Sequence, residues 1–228
     1  MCGRFTITRR DGKSLAAELG VAAENLRDYT PRYNVAPMQR CFMVTMEYEN
    51  RKAIPARWGL VNSWAKDHSR ASMCINAKAE TVEKLPSFRA AFKKRRCVVP
   101  ADGFYEWRGP KGNREPLWFH PARGELLLMA GLYEAWEREP RTWETTFTII
   151  TTAANRMMEP IHKRMPVLLD EAGAADWMNP REPDPLSLKR LLVPAAEDLL
   201  QMRSASSLVN NVKNEGPELL GVEAVSNG

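Results

Sequence analysis

Long hydrophobic runs are missing from this 228-residue chain. No stretch approaches the roughly 20 apolar residues that cross a bilayer, and the opening MCGRFTITRRDGK carries no apolar block of the kind that directs secretion. A membrane role is therefore not expected, and the expected location is the cytoplasm. Cysteine and histidine are scarce, with four and three residues. None of Cys2, Cys41, Cys74 and Cys97 stands in a CxxC pair, and the histidines do not fall at zinc-finger spacing, which argues against a structural zinc site. In a reducing cytoplasm disulfides are not expected either. Cys41, Cys74 and Cys97 lie in apolar surroundings (RCFMV, SMCIN, RCVVP) and read as small buried hydrophobes. Internal repeats and low-complexity blocks are absent, and no long linker is isolated by proline or glycine. One domain is expected over residues 1–222, with a short flexible tail at 223–228.

What is present suits a globular protein. The apolar share is 44% and the charged share 27%, ordinary values for a folded chain long enough to bury a full core. The net charge of +5 is compatible with a nucleic-acid partner, and equally with a solvated basic surface.

Short strand-like and helix-like segments alternate. Residues 4–8 and 41–48 read as extended, and residues 14–19 as a helix ending at Gly20. Ser87 is placed to cap a helix through FRAAFKKRR, and Asp170 one through Trp177. Residues 185–192 and 195–200 are further helix candidates. The middle of the chain is rich in strands: CVVP, GFYEW, PLWFH, LLLMAGLYEAW and TFTIITT are separated by turn-forming GPKGN and PARGE. The pattern predicts an α+β fold, with a mainly antiparallel sheet curled towards a barrel.

Several residues could carry chemistry. Removal of Met1 would leave Cys2 first, a 1,2-aminothiol whose amine titrates near 7.7–8.0 and whose thiol titrates near 8.5. Such a pair condenses with aldehydes: the amine gives a Schiff base and the thiol closes a thiazolidine. A cysteine after an initiator methionine is, taken alone, usually incidental. Glu106, within GFYEW, is either a solvent-facing carboxylate on an edge strand or a carboxyl among aromatics whose raised pKa lets it trade protons near neutrality. His162 lies between Pro160 and Pro166 in a stiff, irregular segment. His68 reads as exposed and His120 as a strand end. Asn76 and Asn34 can donate and accept hydrogen bonds. Arg4 and Lys78 flank the proposed chemistry, and Trp64 and Trp107 could stack on bases. The run Lys93, Lys94, Arg95, Arg96 reads as a solvated helix C-terminus.

Ordered segments along nearly the whole chain resemble the SRAP family, the SOS-response-associated peptidase-like or abasic-site processing proteins. They are MCGRF at 1–5, RYNVAP at 32–37, RWGL and SWAKD within 57–67, INAKAET at 75–81, SFRAAFKKRRCVVPADGFYEW at 87–107, AGLYEAW at 130–136, TFTIITTAAN at 146–155, PIHKRMPVLL at 160–169 and NNVKNEGPELL at 210–220. The resemblance implies a single domain with a central, partly open β-barrel flanked by helices. It implies covalent attachment of an N-terminal cysteine to the ring-opened sugar of an abasic site in single-stranded DNA, with autoproteolysis also linked to the family. Its catalytic cysteine, asparagine, glutamate and histidine fall on Cys2, Asn76, Glu106 and His162. Its DNA-contacting positions fall on Arg4, Asn34, Trp64, Lys78, Trp107 and Arg164. Three positions depart from the family pattern: Lys78 replaces an arginine, Asn62 a proline and Lys163 an acidic residue.

The expectation is thus single-turnover capture by a monomer that needs no metal or organic cofactor, with a Schiff-base lyase side activity. Two rival classes are weighed against it. One is a cysteine peptidase using Cys2 and His162. The other is a non-enzymatic DNA- or protein-binding module in which Cys2 is incidental.

Overall fold

The computed structural model describes residues 2–110, 112–182 and 184–221. Among them, thirteen strands follow in chain order: β1 (Phe5–Ile7), β2 (Arg32–Val35), β3 (Arg40–Glu47), β4 (Asn50–Trp58), β5 (Asn76–Lys78), β6 (Arg96–Ala101), β7 (Gly103–Arg108), β8 (Glu115–Pro121), β9 (Leu127–Glu139), β10 (Thr142–Ala153), β11 (Arg164–Pro166), β12 (Leu168–Leu169) and β13 (Leu200–Ser204). Three α-helices accompany them: α1 (Gly12–Leu19), α2 (Arg89–Lys94) and α3 (Glu171–Met178).

Five strands form a ring. β10 pairs with β4, β4 with β3, β3 with β6, β6 with β9, and β9 with β10. Only the β4–β10 seam is parallel, so the α+β class with a mainly antiparallel barrel holds. Its thinnest seam is β3–β6, joined by the single pair Val44↔Val98. β11 and β12 extend the sheet antiparallel from β10 and β9, and β5 joins β10 in parallel.

A second, antiparallel sheet runs β13-β8-β7-β1-β2. Aromatics join the two sheets. Phe104 stacks on Phe119 within the second sheet, and Phe5 lies 5.3 Å from Trp58, which stacks on Phe147 of the barrel. All five are fully buried in one core, and each such ring contributes roughly 1.5–3 kcal/mol relative to exposure. Gly103 opens β7 because a Cβ there would overlap the Trp118 indole, on the neighbouring strand β8.

The helices show where local reading and tertiary context agree. Asp11 accepts from the Ser14 amide and starts α1 two residues before the predicted start, and left-handed Gly20 ends it. Asp170 caps α3 through the Gly173 amide, as its sequence indicates. Ser87 does not cap α2. The amides of Phe88 and Arg89 both donate to the Leu85 carbonyl, so a preceding turn satisfies them instead. Residues 185–192 wind as a 3₁₀ helix over Pro185–Leu191. The helix expected at 195–200 is absent: Leu200 begins β13, because the free edge of β8 offers a full ladder from Pro121 to Leu117. The basic run is only partly a solvated helix end. Arg96 is buried in β6 and donates to the carbonyls of Phe92, Lys93, Trp177 and Asn179. Residues 223–228, the expected tail, lie outside the described residues.

Candidate functional site

Cys2 lies at the entry to β1, where local chain direction is set by two flanking strands. β1 pairs Phe5 with Phe104 of β7, and the Tyr105 amide donates to the Arg4 carbonyl at 3.0 Å. Continued one step, this antiparallel register brings the Cys2–Gly3 segment beside Glu106. Glu106 is therefore not on an edge: β7 is enclosed by β1 and β8. Both side chains are buried, Cys2 fully and Glu106 with 5% exposure.

Their electrostatics follow from that burial. Desolvation, the leading cause, pushes the Glu106 carboxyl up to about 7. Burial and then the nearby Glu106 charge push the Cys2 thiol up to about 12. In the chain that still carries Met1, Cys2 is thus a protonated thiol facing a carboxyl poised to exchange a proton near neutrality.

Asn76 opens β5, paired with Ile149 of β10. Its Nδ2 donates to the Cys2 carbonyl at 2.9 Å, while its buried Oδ1 has no partner among the described residues. His162 follows a turn closed by its own amide on the Met158 carbonyl and precedes β11. Its Nδ1 lies 2.9 Å from the Arg164 amide nitrogen and 3.0 Å from the Arg164 carbonyl oxygen. Burial leads the causes that hold its pKa below the ordinary histidine value. The Arg114 charge is among the lesser causes that lower the pKa of both Glu106 and His162.

Beside them is an open cleft of about 490 Å³ lined by Arg4, Trp107, Gly112, Arg114 and Asn210. Arg4 donates to Asn34 Oδ1 at 2.7 Å and to the Val209 carbonyl at 2.6 Å, with its guanidinium 5.8 Å from the Trp107 ring. The indole of Trp107 donates to Asn210 Oδ1 at 2.7 Å. Arg114 and Asn210 were not singled out by sequence. The signal available for Arg114 was a basic residue at the far end of the GPKGN turn that follows GFYEW.

The remaining candidates disperse. Trp64 is 67% exposed and borders a separate hollow of about 340 Å³ with Met73, Cys74 and Phe88. Asn62, which replaces a proline of the family pattern, is buried, and its carbonyl accepts the Ala65 amide, closing the turn that carries Trp64. Lys78 ends β5 with an exposed side chain, and Lys163 is exposed. Asn34 is fully buried: its Nδ2 donates to the carbonyls of Val209, Asn211 and Asn214. Its role in the fold is to clamp the 209–214 segment and orient Arg4. Asn34→Ala is expected to lower stability by about 2 kcal/mol, since the contacts to three carbonyls and to Arg4 are lost together and the Asn214 carbonyl loses its side-chain donor. Urea unfolding measures this, and an unchanged midpoint would show that the clamp contributes nothing.

A larger cavity, of about 770 Å³, lies between α3 and the 190–199 segment and touches none of these residues. Among the described residues no group of three or more histidines, cysteines or acids is placed to hold a metal ion.

Comparison with known proteins places the chain in a family. A family model described as SOS response associated peptidase (SRAP) matches residues 1–212. The abasic site processing protein YoqW of Bacillus subtilis (strain 168) is 40% identical over 230 residues, covering 96% of this chain and 99% of YoqW. The abasic site processing protein HMCES of Gallus gallus is 32% identical over 225 residues, covering 84% of this chain and 66% of HMCES. A crystal structure of a protein from Bacteroides thetaiotaomicron superposes with a TM-score of 0.85 at 24% identity, covering 96% and 99% of the two chains; this supports the fold alone. From Cys2 at one end to Asn210 at the other, the assembled residues lie within the matched span, and the chain belongs to the SOS response associated peptidase (SRAP) family.

Proposed function

We propose that this protein processes abasic sites in single-stranded DNA by covalent capture through Cys2, once Met1 has been removed. The observation that carries this reading is the pairing of a buried Cys2 with a buried Glu106 whose pKa is near 7, beside a cleft lined by Arg4, Arg114 and Trp107. A cation-lined, aromatic-bearing cleft suits a single strand, because phosphates meet guanidinium groups and bases meet an indole face. An abasic nucleotide has no base to stack, so its sugar can turn inward to Cys2.

The reaction proceeds in balanced steps. His162 gives a proton to the ring oxygen as the C1′–O4′ bond breaks, and the C1′ hydroxyl gives up its proton through water to the His162 ring, which leaves the aldehyde and restores the acid. The neutral Cys2 amine attacks C1′, forming a C–N bond, and Glu106 moves protons between nitrogen and the departing oxygen as water leaves. Asn76 orients the terminus through the Cys2 carbonyl. The thiol then adds to the imine carbon and its proton passes to nitrogen, closing a thiazolidine. Protein and DNA are joined with loss of one water. An imine that fails to close can β-eliminate, so weak lyase activity accompanies capture.

The peptidase reading fares worse against external substrates. A nucleophilic cysteine works as thiolate, whereas in the chain that still carries Met1 burial and Glu106 hold this thiol protonated. Self-removal of Met1 is compatible with capture and is kept as one route to the mature terminus.

A denaturing gel of protein mixed with labelled oligonucleotides tests the proposal. A heat-stable adduct is expected with abasic single strands, much less with duplex and none with intact DNA. Equal retention of intact and abasic strands in a native gel, with no adduct in the denaturing one, would leave only a binding module.

A further inference from the structure

We propose that Glu80 is a positioning residue for His162, acting through Arg164. The inference rests on the reading of His162 as the sugar-opening acid, and it gives Arg164 a different task from the DNA contact that family resemblance implies.

The Arg164 side chain is only 18% exposed and both of its terminal nitrogens are engaged, while its buried Nε has no partner among the described residues. Nη1 and Nη2 donate to the two Glu80 oxygens at 2.6 and 2.9 Å, and Nη2 donates also to the Thr151 carbonyl at 2.6 Å. A two-point guanidinium–carboxylate pair of this kind fixes direction as well as distance. It adds to the β10 pairing (Ala153↔Arg164) in holding Arg164, the first residue of a strand only three residues long. The Arg164 main chain brackets His162. In the neutral Nε2–H tautomer, Nδ1 accepts the Arg164 amide proton. With a charged ring, Nδ1–H donates to the Arg164 carbonyl, at a distance only 0.1 Å longer (2.9 against 3.0 Å). Both contacts hold the same ring edge against the Arg164 main chain, and which of them is made depends on whether Nδ1 carries a proton. Glu80 also lies two residues beyond β5, so the same ion pair ties the strand of Asn76 to the segment of His162.

The test reads the ring directly. In ¹⁵N-histidine spectra of the full chain at about pH 8, where an ordinary imidazole is neutral, His162 is expected as a single Nε2–H tautomer. Glu80→Ala is expected to give a mixture of tautomers. Arg164→Lys, which keeps the main chain and charge but loses the fork, is expected to do the same and carries the test should the alanine variant fail to fold. In single-turnover capture, Glu80→Ala is expected to be about tenfold slower, with unchanged affinity for intact single strands and an unchanged salt slope. Added to His162→Ala, it is expected to have no further effect. A single tautomer in both variants would overturn the proposal. So would a multiplicative loss in the double variant, or tighter binding with a steeper salt slope, which would mean that Glu80 merely competes with phosphate for Arg164. Because the spectra need no DNA, they decide the question even if the wild-type protein forms no adduct, an outcome that would count against the capture chemistry alone.

Discussion

Replacing Cys2 by alanine is expected to abolish the heat-stable adduct with abasic single-stranded DNA while leaving a species that borohydride can trap. The amine and the thiol have separate tasks. Alanine at the mature terminus still presents an α-amino group with an ordinary pKa near 7.7–8.0, so the imine forms. Without sulfur the ring cannot close, and the imine partitions between hydrolysis and strand cleavage. Loss of stable product is therefore expected to be essentially complete, and nicked DNA is expected to increase. Denaturing gels with and without reductant measure both. A heat-stable adduct formed by Cys2→Ala without reductant would rule out thiazolidine closure, and the loss of the borohydride-trapped species would show that the thiol acts first.

Glu106→Gln is expected to separate catalysis from stability. The isosteric amide keeps the shape of β7 but cannot shuttle a proton, so single-turnover capture is expected to slow by about 10²–10⁴-fold, with affinity for intact single strands retained. The same substitution is expected to stabilise the fold at alkaline pH. Burial raises the Glu106 carboxyl from 4.5 to about 7, so the folded state holds this proton more tightly than the unfolded state does. Its contribution is fully present below the unfolded pKa and is lost as pH rises through about 7. Above that, the folded chain holds a desolvated carboxylate, at a cost on the order of 3 kcal/mol as an upper bound. Glutamine carries no such charge. The melting temperature of Glu106→Gln is expected to exceed that of wild type by several degrees near pH 8, and to match it near pH 4. Equal melting temperatures at both pH values would mean that the carboxyl is not strained by burial, and wild-type capture rates would remove it from the mechanism.

These two expectations show how unevenly the molecule can be read from its sequence. The strands of the middle, the α1 and α3 helices and the aminothiol chemistry of Cys2 rest on local signals: turn residues, capping aspartates and position in the chain. The partners of those elements do not. GFYEW looks equally like an edge or an interior strand until β1 is laid against it, and only that non-local pairing makes Glu106 buried and its proton exchangeable near neutrality. Asn34 has the same difficulty. Its chemistry allows a DNA contact, but the carbonyls it satisfies are 175–180 residues away. Glu80, in the tail of INAKAET, finds Arg164 across 84 residues, so nothing in its neighbourhood announces the pair. Leu200 shows tertiary pairing overriding a helical reading, because an open sheet edge offers more hydrogen bonds than an isolated turn of helix. Arg96 looks solvated beside three other basic residues, yet four carbonyls gather it into the interior.

The account stands most directly on the bond made by Cys2, and intact-protein mass spectrometry reads that bond. The protein would be weighed alone, and again after mixing with a single-stranded oligonucleotide carrying one abasic site. The predicted result is a protein mass lacking methionine, and an adduct whose mass is that of mature protein plus DNA minus one water. A mature Cys2 terminus that gives no adduct at any salt concentration would contradict the account.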